Sequence, residues 1–336
     1  MTIKIAIIGA GLMGADHARL IAEDVPGATL QVVCDASLER ALKVADDYGA
    51  AHALTDPLQA ILRDDVDAVL IASPDETHAP LSLAAIEAGK PVLCEKPLSQ
   101  SSEECLRVIK AEVSAGRQFI QLGFMRRYDQ SYREMKSALG RGEIGDAVMM
   151  HNFHRNVEAP SNFTGQMAIT NSAPHEFDVA RFVLDADYTA ISVFQPAGID
   201  ASRTGAPVFM VVENDKGQLV NIEINNNAAY GYDVRGELVG QKGSVFLNTP
   251  IHTTYNTNLT ATERYAPDWR PRFAEAYRIQ NKAFVEFAKT GKFPAIAANS
   301  WDGYCAAIVA EAGVQALVKR ERIAITMVDR PNLYAR

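Results

Sequence analysis

Three glycines, Gly9, Gly11 and Gly14, stand in GxGxxG spacing between an apolar run of strand length, Ile3 to Ile8, and a helix-like segment, Ala15 to Glu23. Strand, glycines and helix in that order predict a dinucleotide cradle. Gly9 permits the tight turn, Gly11 lets backbone approach a pyrophosphate, and Gly14 lets helix pack on strand. Leu12 and Met13 lie in the same turn, and the helix behind it offers free N–H groups and a positive dipole end to phosphate oxygens. Asp35 closes the next strand, Leu30 to Cys34, and lies 21 residues after Gly14. A carboxylate placed there accepts hydrogen bonds from an adenosine ribose. Ala36 and Ser37 follow it with no adjacent Arg to receive a 2′-phosphate, so NAD is expected in preference to NADP.

Two residues could handle charge and protons. Lys96 comes two residues after the apolar run Pro91 to Cys94 ends. That is where the ligand crevice of a parallel sheet lies, beyond the carboxyl ends of its strands. Ser73, Pro74 and His78, after the run Ala68 to Ala72, and Glu95, beside Lys96, occupy equivalent positions, with His78 expected near the nicotinamide side. His175 follows Pro174 at the predicted start of a helix that Asn171 or Ser172 can cap. A positive helix end disfavours imidazolium, which would leave the ring neutral and able to accept a proton. His151 and His154, three apart on a strand-like run, point to opposite faces and are not a metal pair. His17, His52 and His252 are read as structural or surface residues.

Gly9-x-Gly11-x-x-Gly14-x-x-His17 followed by Glu95-Lys96-Pro97 resembles the Gfo/Idh/MocA oxidoreductases, and the resemblance covers nearly the whole chain. The segments Gly123 to Asp129, His154-Arg155-Asn156 and Met167 to Asp178 resemble those of members that act on inositol-like rings. The resemblance implies that Lys96 hydrogen-bonds the reacting hydroxyl and that His175 is the general base. It also implies that Met125, Arg126, His154, Asn156 and Tyr232, or its neighbour Tyr230, line a polyol pocket. Where the family pattern carries an Asp four residues before that His, this chain has Asn171, which unsettles the usual Lys, Asp, His triad. The implied activity is NAD-linked hydride transfer between a secondary hydroxyl of a cyclitol or sugar and the nicotinamide, without a metal. The alternatives are reduction of a keto-sugar and a non-catalytic dinucleotide-binding sensor.

The elements needed to position these residues change character along the chain. Up to residue 122, apolar strand-length runs alternate with helical stretches, which predicts a doubly wound parallel sheet as a dinucleotide-binding domain over 1–122. Beyond it, extended segments follow one another: Ala147 to His154, Thr189 to Phe194, Val208 to Glu213, Gln218 to Asn226, Tyr232 to Val239 and Ser244 to Leu247. Turns are predicted at Asn214 to Gly217 and Gln241 to Gly243. They predict an α+β substrate-binding and oligomerisation domain over 123–336, with a large, mostly antiparallel open sheet and helices over Ala173 to Leu184, Phe273 to Lys289 and Trp301 to Arg320. One sheet face packs on these helices, and the resemblance implies that the other builds a homo-oligomer, a tetramer.

The 336 residues suffice for two cores, and 48% hydrophobic with 22% charged residues is an ordinary globular composition. Lys plus Arg number 33 against 41 Asp plus Glu, a net charge of −8, and no basic stripe forms, so nucleic acid is not an expected partner. No apolar run reaches the ~18–20 residues of a membrane helix and no signal-like segment opens the chain, so a soluble cytoplasmic protein is expected. Cys34, Cys94, Cys105 and Cys305 are scattered, and are expected to be free and buried.

Overall fold

The computed structural model describes residues 2–196, 207–248 and 253–335; His252 lies outside them. The chain divides into two compact units. The first comprises Met1–Tyr128, Glu275–Ala307 and Val328–Arg336, and the second Asp129–Ala274 and Ile308–Met327. A single cut after residue 122 is therefore not how compactness divides the chain. The reason is a shared core: Phe284, Val285 and Phe287 pack with Ile5, Ile7, Leu70 and Leu93 in the first unit.

The first unit is built from β1 (Ile3–Ile8), α1 (Leu12–Arg19), β2 (Ala28–Cys34), α2 (Leu38–Tyr48), β3 (His52–Leu54), α3 (Pro57–Leu62), β4 (Ala68–Ile71), α4 (His78–Glu87), β5 (Val92–Cys94), α5 (Ser102–Ala115) and β6 (Ile120–Leu122). Its six strands are parallel in the order β3-β2-β1-β4-β5-β6, so the strand order reverses between β1 and β4. Strands covered on both faces must be apolar throughout, which is why β4 and β5 are wholly buried. Helix starts follow local chemistry: Ser37, Asp56 and Ser101 each accept a backbone N–H in the first turn of α2, α3 and α5. The first helix departs from expectation. It starts at Leu12, directly on the glycine turn, and closes in a π turn over Leu20–Asp24.

The second unit holds α6 (Gln130–Gly140), β7 (Ala147–Arg155), α7 (Gly165–Met167), α8 (Pro174–Leu184), β8 (Tyr188–Phe194), β9 (Val208–Asn214), β10 (Leu219–Asn225), β11 (Asp233–Gly240), β12 (Ser244–Phe246), β13 (Thr254–Thr257), β14 (Thr260–Glu263) and β15 (Ile323–Ala324). Helices α9 (Trp269–Thr290) and α10 (Ser300–Lys319) each contribute residues to both units. The seven-stranded sheet runs β12-β11-β7-β10-β9-β8-β15, antiparallel except for the parallel pair β7 and β10. Val220, Ile222 and Ile224 are fully buried, while Leu219, Asn221 and Glu223 are not, so the β10 face that packs is the β-branched one. The predicted turns at 214–217 and 241–243 both join antiparallel neighbours.

One local expectation fails. Asn171 and Ser172 do not cap a helix: Ala168–Ser172 form a π turn continuous with α7, and Ala173 is helical at φ −62°, ψ −20°. The Ala173 N–H bonds the Ala168 carbonyl at 3.0 Å, and the cap is instead Thr164, whose hydroxyl accepts from the Met167 N–H at 3.3 Å. Helical backbone thus precedes Pro174 by about ten residues. The positive end lies upstream of His175, and the dipole argument for a neutral ring does not apply.

Candidate active site

In the first unit, Gly9 has φ +102°, and a Cβ on it would sit 2.4 Å from the Ala72 carbonyl oxygen. A Cβ on Gly14 would sit 1.8 Å from the Gly9 carbonyl oxygen, so α1 lies against the turn that precedes it. Gly11 is different, with no atom within 4 Å of its Cβ direction. The turn is closed behind and open in front, as a pyrophosphate requires. Leu12 is largely exposed on the first turn of α1, with Met13 half-buried behind it. Asp35 is built into the same turn: Oδ2 accepts the Ala10 N–H at 2.8 Å and Oδ1 accepts the Ser37 N–H at 2.8 Å. Burial pushes its carboxyl up, but these bonds and Arg40 outweigh it and hold the group below the usual carboxylate range. Arg40 corrects the reading of an Asp35 without a neighbouring cation, for its Nη2 donates to Asp35 Oδ1 at 2.7 Å. The chain turns into α2 at its N-cap Ser37, which puts Arg40 in the first turn and back against Asp35.

The segments after β4 and β5 are tied together from behind. His78 is buried, with Nδ1 2.7 Å from the Pro97 carbonyl oxygen and Nε2 2.8 Å from that of Ser73. Carbonyls only accept, so each ring nitrogen is placed to donate, an arrangement that favours the charged ring. It braces the Ser73-Pro74 and Lys96-Pro97 segments rather than facing a cofactor as expected. The Ser73 and Thr77 hydroxyls meet at 2.5 Å. Glu95 is turned inward, its Oε1 3.0 Å from His17 Nε2, while His17 Nδ1 lies 3.1 Å from Asn281 Oδ1. Glu95 Oε2 accepts the Lys96 N–H at 3.3 Å. A Cβ on Gly123 would sit 2.9 Å from the Glu95 carboxyl carbon and 3.0 Å from the Glu95 Cα, so a larger residue there would require Glu95 to shift. Lys96 itself is half-buried, and Met125 and Arg126 are buried on a 3-10 turn after β6.

In the second unit, His154 and His175 stand with ring centroids 6.2 Å apart. Tyr232 meets His154 edge-on at 6.1 Å and packs on Phe273 at 6.4 Å. Tyr230 is not its equivalent: it is half-exposed, and its hydroxyl donates to Asp233 at 2.7 Å. Asn156 donates to Asn226, whose amide also exchanges bonds with the Ser172 hydroxyl at 3.3–3.4 Å. Asn171 is half-buried and accepts the Thr170 hydroxyl at 2.6 Å. The residue that sequence reasoning missed is Glu176. It is fully buried, and its Oε2 lies 3.1 Å from His154 Nδ1. Facing a carboxylate, Nδ1 is the donor of this contact, which fixes the orientation of the ring. The available signal was an acidic residue directly beside His175 at the start of α8, but that helix also buries Asp178 and Arg181, so Glu176 did not stand out. On β7, Met150, Asn152 and His154 are buried while His151 is not, so the two histidines do face opposite ways. Among the described residues no group of three or more His, Cys, Asp or Glu stands together as metal ligands, and the four cysteines are buried thiols outside any disulfide.

Residues 3–124 match the family model described as an oxidoreductase family with an NAD-binding Rossmann fold, and residues 132–246 match that of the GFO/IDH/MocA C-terminal domain. The chain belongs to the Gfo/Idh/MocA family of oxidoreductases. Among its Gfo/Idh/MocA relatives, inositol 2-dehydrogenase 1 of Saccharopolyspora erythraea is 43% identical, over 99% of each chain. Inositol 2-dehydrogenase of Klebsiella pneumoniae strain 342 is 37% identical over the full length of both. The crystal structure of myo-inositol dehydrogenase from Lactobacillus casei, in complex with NAD(H) and myo-inositol, superposes with a TM-score of 0.94 at 29% identity, covering 100% of both chains. The open space before Gly11 and the carboxylate fixed at Asp35 fit the NAD that the Gfo/Idh/MocA Rossmann unit binds. No helix among the described residues is long and apolar enough to cross a membrane.

Proposed function

We propose that this protein oxidises a secondary hydroxyl of an inositol-like cyclitol with NAD. The observation that carries this reading is the second unit's His154, held by the buried Glu176 and flanked by the His175 and Tyr232 rings, in a chain whose first unit is a dinucleotide cradle. The full-length similarity to inositol 2-dehydrogenases supports it. Gly9, Gly11, Leu12, Met13 and Gly14 hold the pyrophosphate and Asp35 the ribose, with Ser73, Pro74 and Glu95 on the nicotinamide side. NAD bound there supplies the hydride acceptor. His175 takes the hydroxyl proton, and the Lys96 ammonium stabilises the negative charge that grows on the oxygen. Met125, Arg126, His154, Asn156 and Tyr232 hold the ring, since each buried hydroxyl left without a partner costs about 1–3 kcal/mol. His154 turns Nε2 to a ring hydroxyl because Glu176 fixes the orientation of its imidazole. We place the enzyme in the cytoplasm as a homotetramer.

The test is NADH formation with a panel of cyclitols and aldoses. Turnover on an inositol is expected, and Lys96→Ala lowers kcat by at least ~10²-fold with less effect on NAD affinity. If no ring polyol yields NADH while NAD still binds, the second reading, a dinucleotide-binding sensor, replaces the first. Asn171 is the residue that favours that alternative.

A further inference from the structure

Asp35 does not stand alone at the end of β2. Its Oδ1 accepts from Arg40 Nη2 at 2.7 Å and Nε at 3.1 Å, in addition to the Ser37 N–H. Its Oδ2 is bonded to the Ala10 N–H inside the glycine turn. The carboxylate is therefore rigid, and the guanidinium is held through it beside the same turn. The Arg40 side chain is 61% exposed against 9% for Asp35, so the cation lies on the solvent side of the pair. Of its five N–H donors, the Nε hydrogen and one on Nη2 serve Asp35, leaving the Nη1 pair and the second Nη2 hydrogen for another acceptor.

A ribose 2′-hydroxyl donates, and a carboxylate is its natural partner. A 2′-phosphate can only accept and brings negative charge, so it needs a cation and is repelled by a carboxylate. Both kinds of partner are present here within one ion pair. We propose that Arg40 is the second half of the cofactor selector: Asp35 takes the ribose hydroxyl and keeps the guanidinium tied, and loss of Asp35 releases Arg40 to bind a 2′-phosphate. This rests on the reading of Asp35 as the ribose residue. It differs from selection by the carboxylate alone in that the latent phosphate site is already built, at the start of α2.

Calorimetric titration of the full-length protein with NADH and NADPH tests it without reference to turnover. Asp35→Ser is expected to weaken NADH about tenfold and to tighten NADPH at least tenfold, about 1.4 kcal/mol or more. Adding Arg40→Gln to Asp35→Ser should remove the NADPH gain while leaving NADH near its Asp35→Ser value. In the native background, Arg40→Gln strips the carboxylate of its counter-charge, so the preference for NADH should widen several-fold. An NADPH gain that survives intact in the double variant overturns the proposal and leaves repulsion by Asp35 as the whole selector. Should Asp35→Ser not fold, an unchanged NADPH to NADH ratio in Arg40→Gln, a change at an exposed side chain, overturns it equally. If folded Asp35→Ser alters neither affinity, the assignment of Asp35 to the ribose is what fails.

Discussion

An amide in place of a carboxylate, one helical turn before a histidine, changes the histidine's proton affinity more than its position. Asn171 and His175 are four residues apart on a continuous helical path, a spacing that puts side chains on one face. The helix start lies upstream at Thr164, so the macrodipole does not set the His175 charge and the neighbouring side chains do. Asn171→Asp would place a carboxylate within reach of the ring and favour imidazolium. The acidic limb of the kcat/KM profile should move to higher pH, with a faster chemical step at alkaline pH, and His175→Ala should abolish most turnover in either background. An unmoved profile would mean that the two side chains do not interact and that Asn171 does not stand in for the family carboxylate. Glu176 shows where sequence reasoning stopped at this scale. It adjoins His175 in the chain, yet serves His154 across from it, because successive helical residues point about 100° apart.

At the scale of elements, the strands carrying the cofactor loops were legible because buried parallel strands are apolar throughout. The short β3 was not, since His52, Ala53 and Leu54 are neither apolar enough nor alternating. The glycine motif located its turn, but the helix behind it began earlier than the apolar pattern suggested. Gly11 is the N-cap, and the exposed Leu12 already belongs to the first turn. The His78 brace between the segments after β4 and β5 was invisible in the sequence, since it depends on two carbonyl oxygens that only the sheet order brings together. Burial opposes its charge, but the neighbouring Cys94 sulfur and the Pro97 and Ser73 carbonyls outweigh it and push the imidazole up to about 10. A raised histidine contributes stability that is fully present below the unfolded value of about 6.5 and is lost as pH rises through the folded one. The difference in Tm between the native protein and His78→Gln should therefore be largest below about pH 6.5 and shrink toward pH 10. A difference independent of pH would show that the ring is neutral and only one carbonyl is bonded.

At the scale of the whole molecule, the chain's order in sequence and its compact units disagree, and the apolar pattern alone could not show it. α9 reads as one amphipathic helix from Trp269 to Thr290, but Phe284, Val285 and Phe287 complete the core of the first unit. A fragment ending near residue 122 would lack them. The seven-stranded sheet raises the opposite question, of apolar surface left over. Strand registers put Phe194 opposite Phe209, Phe209 opposite Glu223 and Leu219 opposite Glu213, on the face away from the buried Met210, Val212, Val220 and Ile222. Phe194, Phe209, Leu219 and Phe246 are 55%, 40%, 43% and 66% exposed. These large apolar side chains are interspersed with Glu213, Asn221 and Glu223 on an open sheet face, the kind of mixed surface that a symmetric association of two copies of the same chain could cover. Light scattering behind size exclusion should give the mass of a tetramer. A charge placed at the centre of the patch, Phe209→Asp, would be buried without a partner in the assembly yet solvated in the free chain, so it should shift the mass to dimer or monomer without unfolding either unit. A native protein that runs as a monomer at micromolar concentration would show that this face meets water.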